Sequence, residues 1–326
     1  MILFPNAKIN LGLDILRRRP DGYHDIETVM IPVPWCDVLE IVPAKGSETT
    51  LTVSGRRVDC PPEKNLVMKA YRALAETVEL PPVDIFLRKI IPDGAGLGGG
   101  SADAAFTLRG LNELFALGLS DSRLAEIAAG LGADCPFFIY NRPMLCTGIG
   151  TEFTPAEVSL SGLTIVIVKP PTSVPTAEAY RHTTPSIPQT PIAGIISRPI
   201  SEWRGRLKND FEPSVFPAYP SVSEIKEKME GLGAVYTSLS GSGSSVYGLF
   251  DNDILADCLT ETFAGSAVFS SKLLYRRQAS AFCWTIERYA LRFVVKSERG
   301  MAKSTFCRKN ICLTAILATF LHDTRE

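Results

Sequence analysis

Five glycines fall within the seven residues 94–100, inside the run 92–108, PDGAGLGGGSADAAFTL. Glycine lets a backbone turn tightly and come close to a ligand with no Cβ in the way. The segment before them, VDIFLRK (83–89), reads as a strand, and the alanine-rich segment after them reads as a helix. A helix start offers unpaired N–H groups and the positive end of a dipole, which together suit phosphate. Ser101 stands where an N-cap is expected. A merely flexible loop mixes glycine with Ser, Asn, Pro and charges, so phosphate binding is the stronger reading. A P-loop would place Lys directly after the glycines, and none is there. Gly94, Gly96 and Gly99 fit G-x-G-x-x-G. A dinucleotide fold also needs a second strand closed by an acid about twenty residues on, whereas 108–117 (LRGLNELFAL) reads as helix. The remaining protein-kinase signatures are missing too.

Three further segments carry residues of chemical interest. Lys8 is a single cation in an apolar, amide-rich strand, PNAKINLGLDIL, and its plain alternative is a snorkelling surface lysine. Tyr23 and His24 follow a Pro-Asp-Gly turn at a strand entry, where a structural histidine is the ordinary case. Asp134, in LGADCPFF, lies between an amphipathic helix and Pro136, which is expected to limit further helix; alone it reads as a turn carboxylate. The run 237–250, TSLSGSGSSVYGLF, is a Gly/Ser loop between two β-rich stretches, alone a hairpin turn.

The elements that must hold these residues follow from periodicity. Strands are expected over 2–16, 28–42, 51–53 and 83–89, and helices over 65–78, 102–117 and 120–131. The second half opens with an apolar strand, 163–168, then a proline-rich surface stretch, 170–199, carrying short helices. Helix 222–230, strands 234–239 and 245–250 and helix 254–262 complete a layered βα arrangement. The fold class is α+β rather than a doubly wound parallel sheet. Domains are expected over 1–150 and 151–273. Residues 274–326 form an atypical tail, rich in Arg, Lys and Cys, which reads either as a basic accessory segment or, the preferred reading, as translated sequence past a frameshift or lost stop and outside the fold.

At 326 residues the chain can bury substantial cores, and its net charge of −1 gives no global field for nucleic acid or membrane. No apolar run reaches transmembrane length and no signal peptide is visible, so a cytoplasmic protein is expected. Eight cysteines are scattered without C-x-x-C, which reads as reduced thiols, and three histidines are too few for a His-rich zinc site.

Taken in order, the four segments resemble the GHMP kinase superfamily, which includes galactokinase, homoserine kinase and mevalonate kinase. The likeness is strongest to the branch that phosphorylates 4-diphosphocytidyl-2-C-methyl-D-erythritol. PNAKINLGLDILRRRPDGYHDIETV is similar to its first motif, PDGAGLGGGSADAA to its ATP phosphate loop, LGADCPFF to its catalytic-aspartate segment and SLSGSGSSVYGLF to its third motif. VKPPTSVPTAEAYR (168–181) and NDFEP (209–213) also have counterparts, and the likeness runs over roughly residues 1–272.

The resemblance implies a two-lobed fold, with an N-terminal lobe like domain 2 of ribosomal protein S5, an α/β sandwich as the C-terminal lobe and an active cleft between them. It implies ATP and Mg²⁺ as cofactors, with no protein ligand assigned to the metal. Asp134 would take the proton from the acceptor's tertiary hydroxyl, and Lys8 would keep that carboxylate charged and steady the moving phosphoryl group. ATP would be held by Pro92, Gly94, Ala95, Gly96, Leu97, Gly98, Gly99, Gly100, Ser101 and Ala102. Tyr23 and Tyr180 would sandwich a cytosine ring, His24 would bond its edge, and Asn10 would contact the substrate chain. The partner would be a small molecule, with no nucleic acid or membrane, for a monomer or weak homodimer. The chain departs from many relatives in following Ser101 with Ala102 rather than a second serine, and Asp210 stays open between a helix-start role and a substrate contact. Homoserine or mevalonate-type kinases are the alternative within the superfamily, but Tyr23, His24 and Tyr180 suit a nucleobase. A silent nucleotide-binding regulator would need neither Lys8 nor Asp134.

Overall fold

Pro5 splits the opening apolar run, since proline cannot donate to a strand ladder. The computed structural model, which describes residues 1–252 and 256–273, therefore has β1 (Ile2–Leu3) in one sheet and β2 (Asn6–Arg18) in another, where a single strand over 2–16 was expected. The expected strand 28–42 divides in the same way at Asp37, into β3 (His24–Cys36) and β4 (Val38–Pro43). With β5 (Thr50–Gly55) and β6 (Val83–Lys89), the first sheet has the order β1-β4-β6-β5. β5 and β6 run parallel, with α1 (Leu66–Ala75) in the connection between them. Asn65 caps α1 through an acceptor bond from Val67 N–H, so the helix expected over 65–78 starts one residue later, and it ends at Ala75.

The second sheet pairs β2 with β3, then β7 (Met144–Thr147) and β8 (Glu152–Pro155). Successive side chains of a strand point to opposite faces. Ala7, Ile9 and Leu11 of β2 therefore join one apolar core, and Lys8 and Asn10 take the other side. The third sheet, β10-β11-β9-β12, is made of β9 (Thr164–Lys169), β10 (Tyr236–Leu239), β11 (Val246–Phe250) and β12 (Ala267–Lys272). Ile165 and Ile167 of β9 pack with Ile9 and Ile31, while Val166 and Val168 pack with Val222 and Met229 of α8 (Pro220–Gly231). β9 is thus buried on both faces, and each such aliphatic side chain contributes about 1.5–3 kcal/mol. The short strands β7, β8 and β12 had no separate sequence expectation.

The helix α2 (Gly99–Leu114) covers the first sheet with Ala102, Ala105, Leu108 and Leu111 in the core. It begins at Gly99, with left-handed Gly98 as its N-cap and no side-chain cap bond, so Ser101 is not the cap but a residue of the first turn. α3 (Asp121–Ala129) is capped by Ser120. Pro136 does not limit helix here: it sits at the start of α4 (Cys135–Tyr140), where its missing N–H costs nothing. The proline-rich stretch carries α5 (Thr176–Arg181) and α6 (Ile192–Ile196), as expected, and α7 (Glu212–Ala218) precedes α8. α9 (Ala256–Thr262) covers the described part of the helix expected over 254–262. The tail 274–326 lies outside the described residues.

Asp210 stitches the chain before α7 to β2 instead of starting a helix. Its N–H donates to Leu13 O and its carboxylate accepts Ile15 N–H at 2.8 Å. Asp14 is buried nearby, with Glu27 as its cross-strand partner. Burial first, then Asp210 and Glu27, push its carboxyl from 3.8 up to about 7.

Two outcomes follow. A Cβ on Gly96 would meet Ser240 O at 1.9 Å with φ at +72°, whereas one on Gly94 meets only Ser173 Oγ at 3.9 Å. Thermal unfolding should show Gly96→Ala losing about 2–3 kcal/mol or more, and Gly94→Ala closer to about 1 kcal/mol from backbone strain alone. The raised Asp14 carboxyl makes folding stability fall as pH climbs from 3.8 to about 7, because the unfolded chain releases that proton first. Asp14→Asn should flatten this part of the melting-temperature profile; an unchanged profile would remove Asp14 as its source.

Candidate active site

Lys8 enters the site as a buried cation, 3% exposed, which removes the surface-lysine alternative. Its ammonium donates to Asn10 Oδ1 at 2.6 Å and lies 3.5 Å from Asp134 Oδ2. Asn10 is held in turn, because its Nδ2 donates to Thr28 Oγ1 at 3.0 Å and that hydroxyl donates to Gly12 O. The amide of Asn10 therefore aims Lys8. Asp134 stands at the N-cap position of α4 but makes no capping bond, which leaves its carboxylate turned to the site and about a third exposed. An ammonium and a carboxylate at this separation attract, and the strand and helix that carry them are rigid supports.

The glycine loop is pinned from two sides. Lys8 N–H donates to Leu97 O at 2.9 Å. From the β10–β11 turn, Ser240 Oγ donates to Gly96 O at 2.9 Å and Ser245 N–H to Ala95 O at 3.2 Å. The Gly/Ser run is thus a hairpin turn, as its plain alternative had it, and at the same time a wall of the site. Gly98 is left-handed at +69°, and a Cβ there would meet the Phe138 ring at 2.9 Å. Past it, the first-turn N–H groups of α2 have no intrahelical partner and no side-chain cap. Cys135 lies buried beside Ser101, its thiol pushed up to about 11, chiefly by burial.

Lys8, Asn10, Asp134, the glycine loop and Gly241, Ser242 and Gly243 of the β10–β11 turn line one cavity of about 340 Å³. Of the expected residues, Lys8, Asn10, Asp134 and Tyr180 are brought to it, with Pro92, Gly94, Ala95, Gly96, Gly98, Gly99, Gly100 and Ser101. Leu97 and Ala102 are fully buried and are not part of the lining; Leu97 serves through its carbonyl and Ala102 through core packing. Tyr180 rests edge-on against Phe211, ring centres 4.8 Å apart, and burial pushes its phenol up to about 12, with Asp134 adding to the shift. His24 stacks on Tyr180 at 4.9 Å and 20°. Burial, then Arg18, lowers the His24 imidazole from its usual value, which favours the neutral ring. Tyr23 is 62% exposed, and neither it nor His24 lines the cavity.

Sequence reasoning missed Thr28, Phe211 and Ser240. Thr28 is a strand threonine whose role appears only when Gly12 O and Asn10 come together across β2 and β3. Phe211 sits in the already noted NDFEP run, and Ser240 in the Gly/Ser run, so the segments were visible though the residues were not.

Residues 65–142 match the GHMP kinases N terminal domain, and residues 195–264 match the GHMP kinases C terminal domain. A 4-diphosphocytidyl-2-C-methyl-D-erythritol kinase of Bacteroides fragilis is 54% identical over 252 residues, covering 77% of this chain and 92% of the relative. One from a Geobacter species is 42% identical, covering 77% and 90%. A crystal structure of 4-(cytidine 5'-diphospho)-2C-methyl-D-erythritol kinase superposes with a TM-score of 0.72 at 31% identity, covering 85% of this chain and all of that one. A mevalonate kinase structure, with a TM-score of 0.66 at 13% identity, shares the fold. With a relative matched at this identity over nearly its whole length, and both halves of the fold accounted for, the chain belongs to the 4-diphosphocytidyl-2-C-methyl-D-erythritol kinase family of GHMP kinases.

Proposed function

We propose that this chain transfers the γ-phosphoryl group of ATP to the tertiary 2-hydroxyl of 4-diphosphocytidyl-2-C-methyl-D-erythritol, a step of non-mevalonate isoprenoid precursor synthesis. The observation that carries this reading is the Lys8–Asp134 pair, 3.5 Å apart, in a cavity that also contains the glycine loop and the start of α2. Phosphoryl transfer depends mainly on positioning and electrostatics, so a base, a cation and a phosphate cradle suffice.

In this mechanism the Asp134 carboxylate accepts the acceptor's hydroxyl proton as its oxygen bonds the γ-phosphorus, and the bond to the β-phosphate oxygen breaks to release ADP. Lys8 stands beside Asp134 and offsets charge on the phosphoryl oxygens. The N–H groups of Gly99, Gly100 and Ser101 hold the phosphates at the positive end of α2. For Mg²⁺, the Ser101 hydroxyl in the cavity lining fits as one hard oxygen donor beside the phosphate seat, and the ion would offset phosphate charge. Tyr180, backed by Phe211, gives a cytosine ring a rigid aromatic face. A neutral His24, with one donor and one acceptor nitrogen, suits the edge of that base. The working unit is read as a monomer or weak homodimer. Among the described residues no helix is long and apolar enough to cross a membrane, and use of ATP supports a place in the cytoplasm.

Asp134→Asn should lower kcat by about 10²–10⁴-fold while ATP still binds. Turnover within tenfold of the unaltered enzyme would rule out Asp134 as the base. Tyr180→Ala should raise KM for the cytidyl substrate about tenfold or more with KM for ATP unchanged, as loss of one base stack does. Steady-state kinetics with each substrate varied in turn distinguishes the two roles.

A further inference from the structure

We propose that the buried cluster Lys89–Asp37–Asp103 is a positioning clamp that sets the phosphate loop for ATP, an inference that rests on the kinase reading above. Lys89 ends β6, Asp37 sits at the corner between β3 and β4, and Asp103 lies in α2. The three side chains are no more than 3% exposed. Lys89 Nζ donates to Asp37 Oδ2 at 2.5 Å and to Asp103 Oδ2 at 2.7 Å. The other oxygen of Asp37 accepts the N–H groups of Ile90 and Ile91, the residues that lead into the loop. One ammonium therefore joins both stems: the entry through Asp37, and the exit helix through Asp103. Gly99 presses on the same group, since a Cβ there would lie 3.3 Å from Lys89 Nζ and 3.0 Å from Ile91.

The charges give the clamp a second effect. Asp103 is one helical turn beyond Gly99, so its negative charge would work against phosphate at the α2 start. Lys89 offsets it. Burial works to lower Lys89, but the two carboxylates outweigh it and hold the ammonium charged. Asp103 Oδ1 is buried with no partner. A cluster serving the fold alone has no reason to stand on both stems of the loop that faces the cavity.

The test uses the full chain, with ATP dissociation measured by calorimetry, kinetics with both substrates, and thermal unfolding. Asp103→Ala leaves Lys89 and Asp37 paired. It should weaken ATP binding about tenfold or more, through loss of loop placement. At saturating ATP, kcat and KM for the cytidyl substrate should stay within about threefold, because the Lys8–Asp134 pair is untouched. Asp103→Asn keeps an oxygen acceptor for Lys89 and should return ATP affinity close to that of the unaltered chain. If Asp103→Ala does not fold, Asp103→Ser, whose hydroxyl can bond a carbonyl one turn back, provides the same readout. A lower melting temperature with unchanged ATP affinity would make the cluster purely structural and overturn the clamp. ATP binding without turnover of the named acceptor would sink the acceptor assignment, while the clamp would still be decided by ATP affinity. No ATP binding by the unaltered chain would overturn both.

Discussion

The amide of Lys8 donates to the carbonyl of Leu97 at 2.9 Å, and through that bond the strand carrying the ammonium and the loop facing the phosphates share one backbone frame. Distances in the site then follow from sheet and helix geometry rather than from side-chain freedom. The period of β2 puts Lys8 and Asn10 on the face opposite Ile9 and Leu11, so burial of the aliphatics holds the polar pair in place. From the far side, Ser240 and Ser245 bond the same loop at Gly96 and Ala95. Ser240, Ser244 and Ser245 are themselves fully buried, an unusual setting for polar residues, and hydrogen bonding compensates for most of it.

The second dependency is the balance of buried charge. Lys8 and Lys89 are both nearly sealed from water, and each is answered by a carboxylate. The two cases differ in exposure. Asp134 keeps about a third of its side chain open, whereas Asp37 and Asp103 are sealed. An ion pair open to substrate can take part in proton transfer. A closed one resists rearrangement, because removing a partner leaves an uncompensated charge in a low-dielectric interior.

How far the sequence alone reached can be judged residue by residue. The glycine loop and Lys8 stood out because their types conflict with ordinary loop and strand composition, whereas Asp134, alone a turn carboxylate, was singled out by the resemblance; all three meet in the cavity. The helices expected over 65–78 and 120–131 are found as α1 and α3, each starting one residue later because Asn65 and Ser120 cap them from outside. The capping reading misled at Ser101, where the cap is left-handed Gly98, because a serine signals a cap only if the backbone turns there. α4 was missed because Pro136 is both a helix breaker and a favoured opener, and local sequence does not say which. Asp37, Thr28 and the His24–Tyr180 stack depend on pairings across 16 to 156 positions, which periodicity does not encode.

Two helices that open onto the cavity, α2 and α4, do so without a capping side chain. Gly98 has none to offer before α2, and Asp134, which could cap α4, does not. A good cap is worth about 1 kcal/mol. Selection for a sturdier fold would supply one at each place, and at either place it would occupy space or hydrogen-bonding capacity that the reaction uses. The two bare helix starts therefore give up stability at the places where the site needs open N–H groups and a free carboxylate.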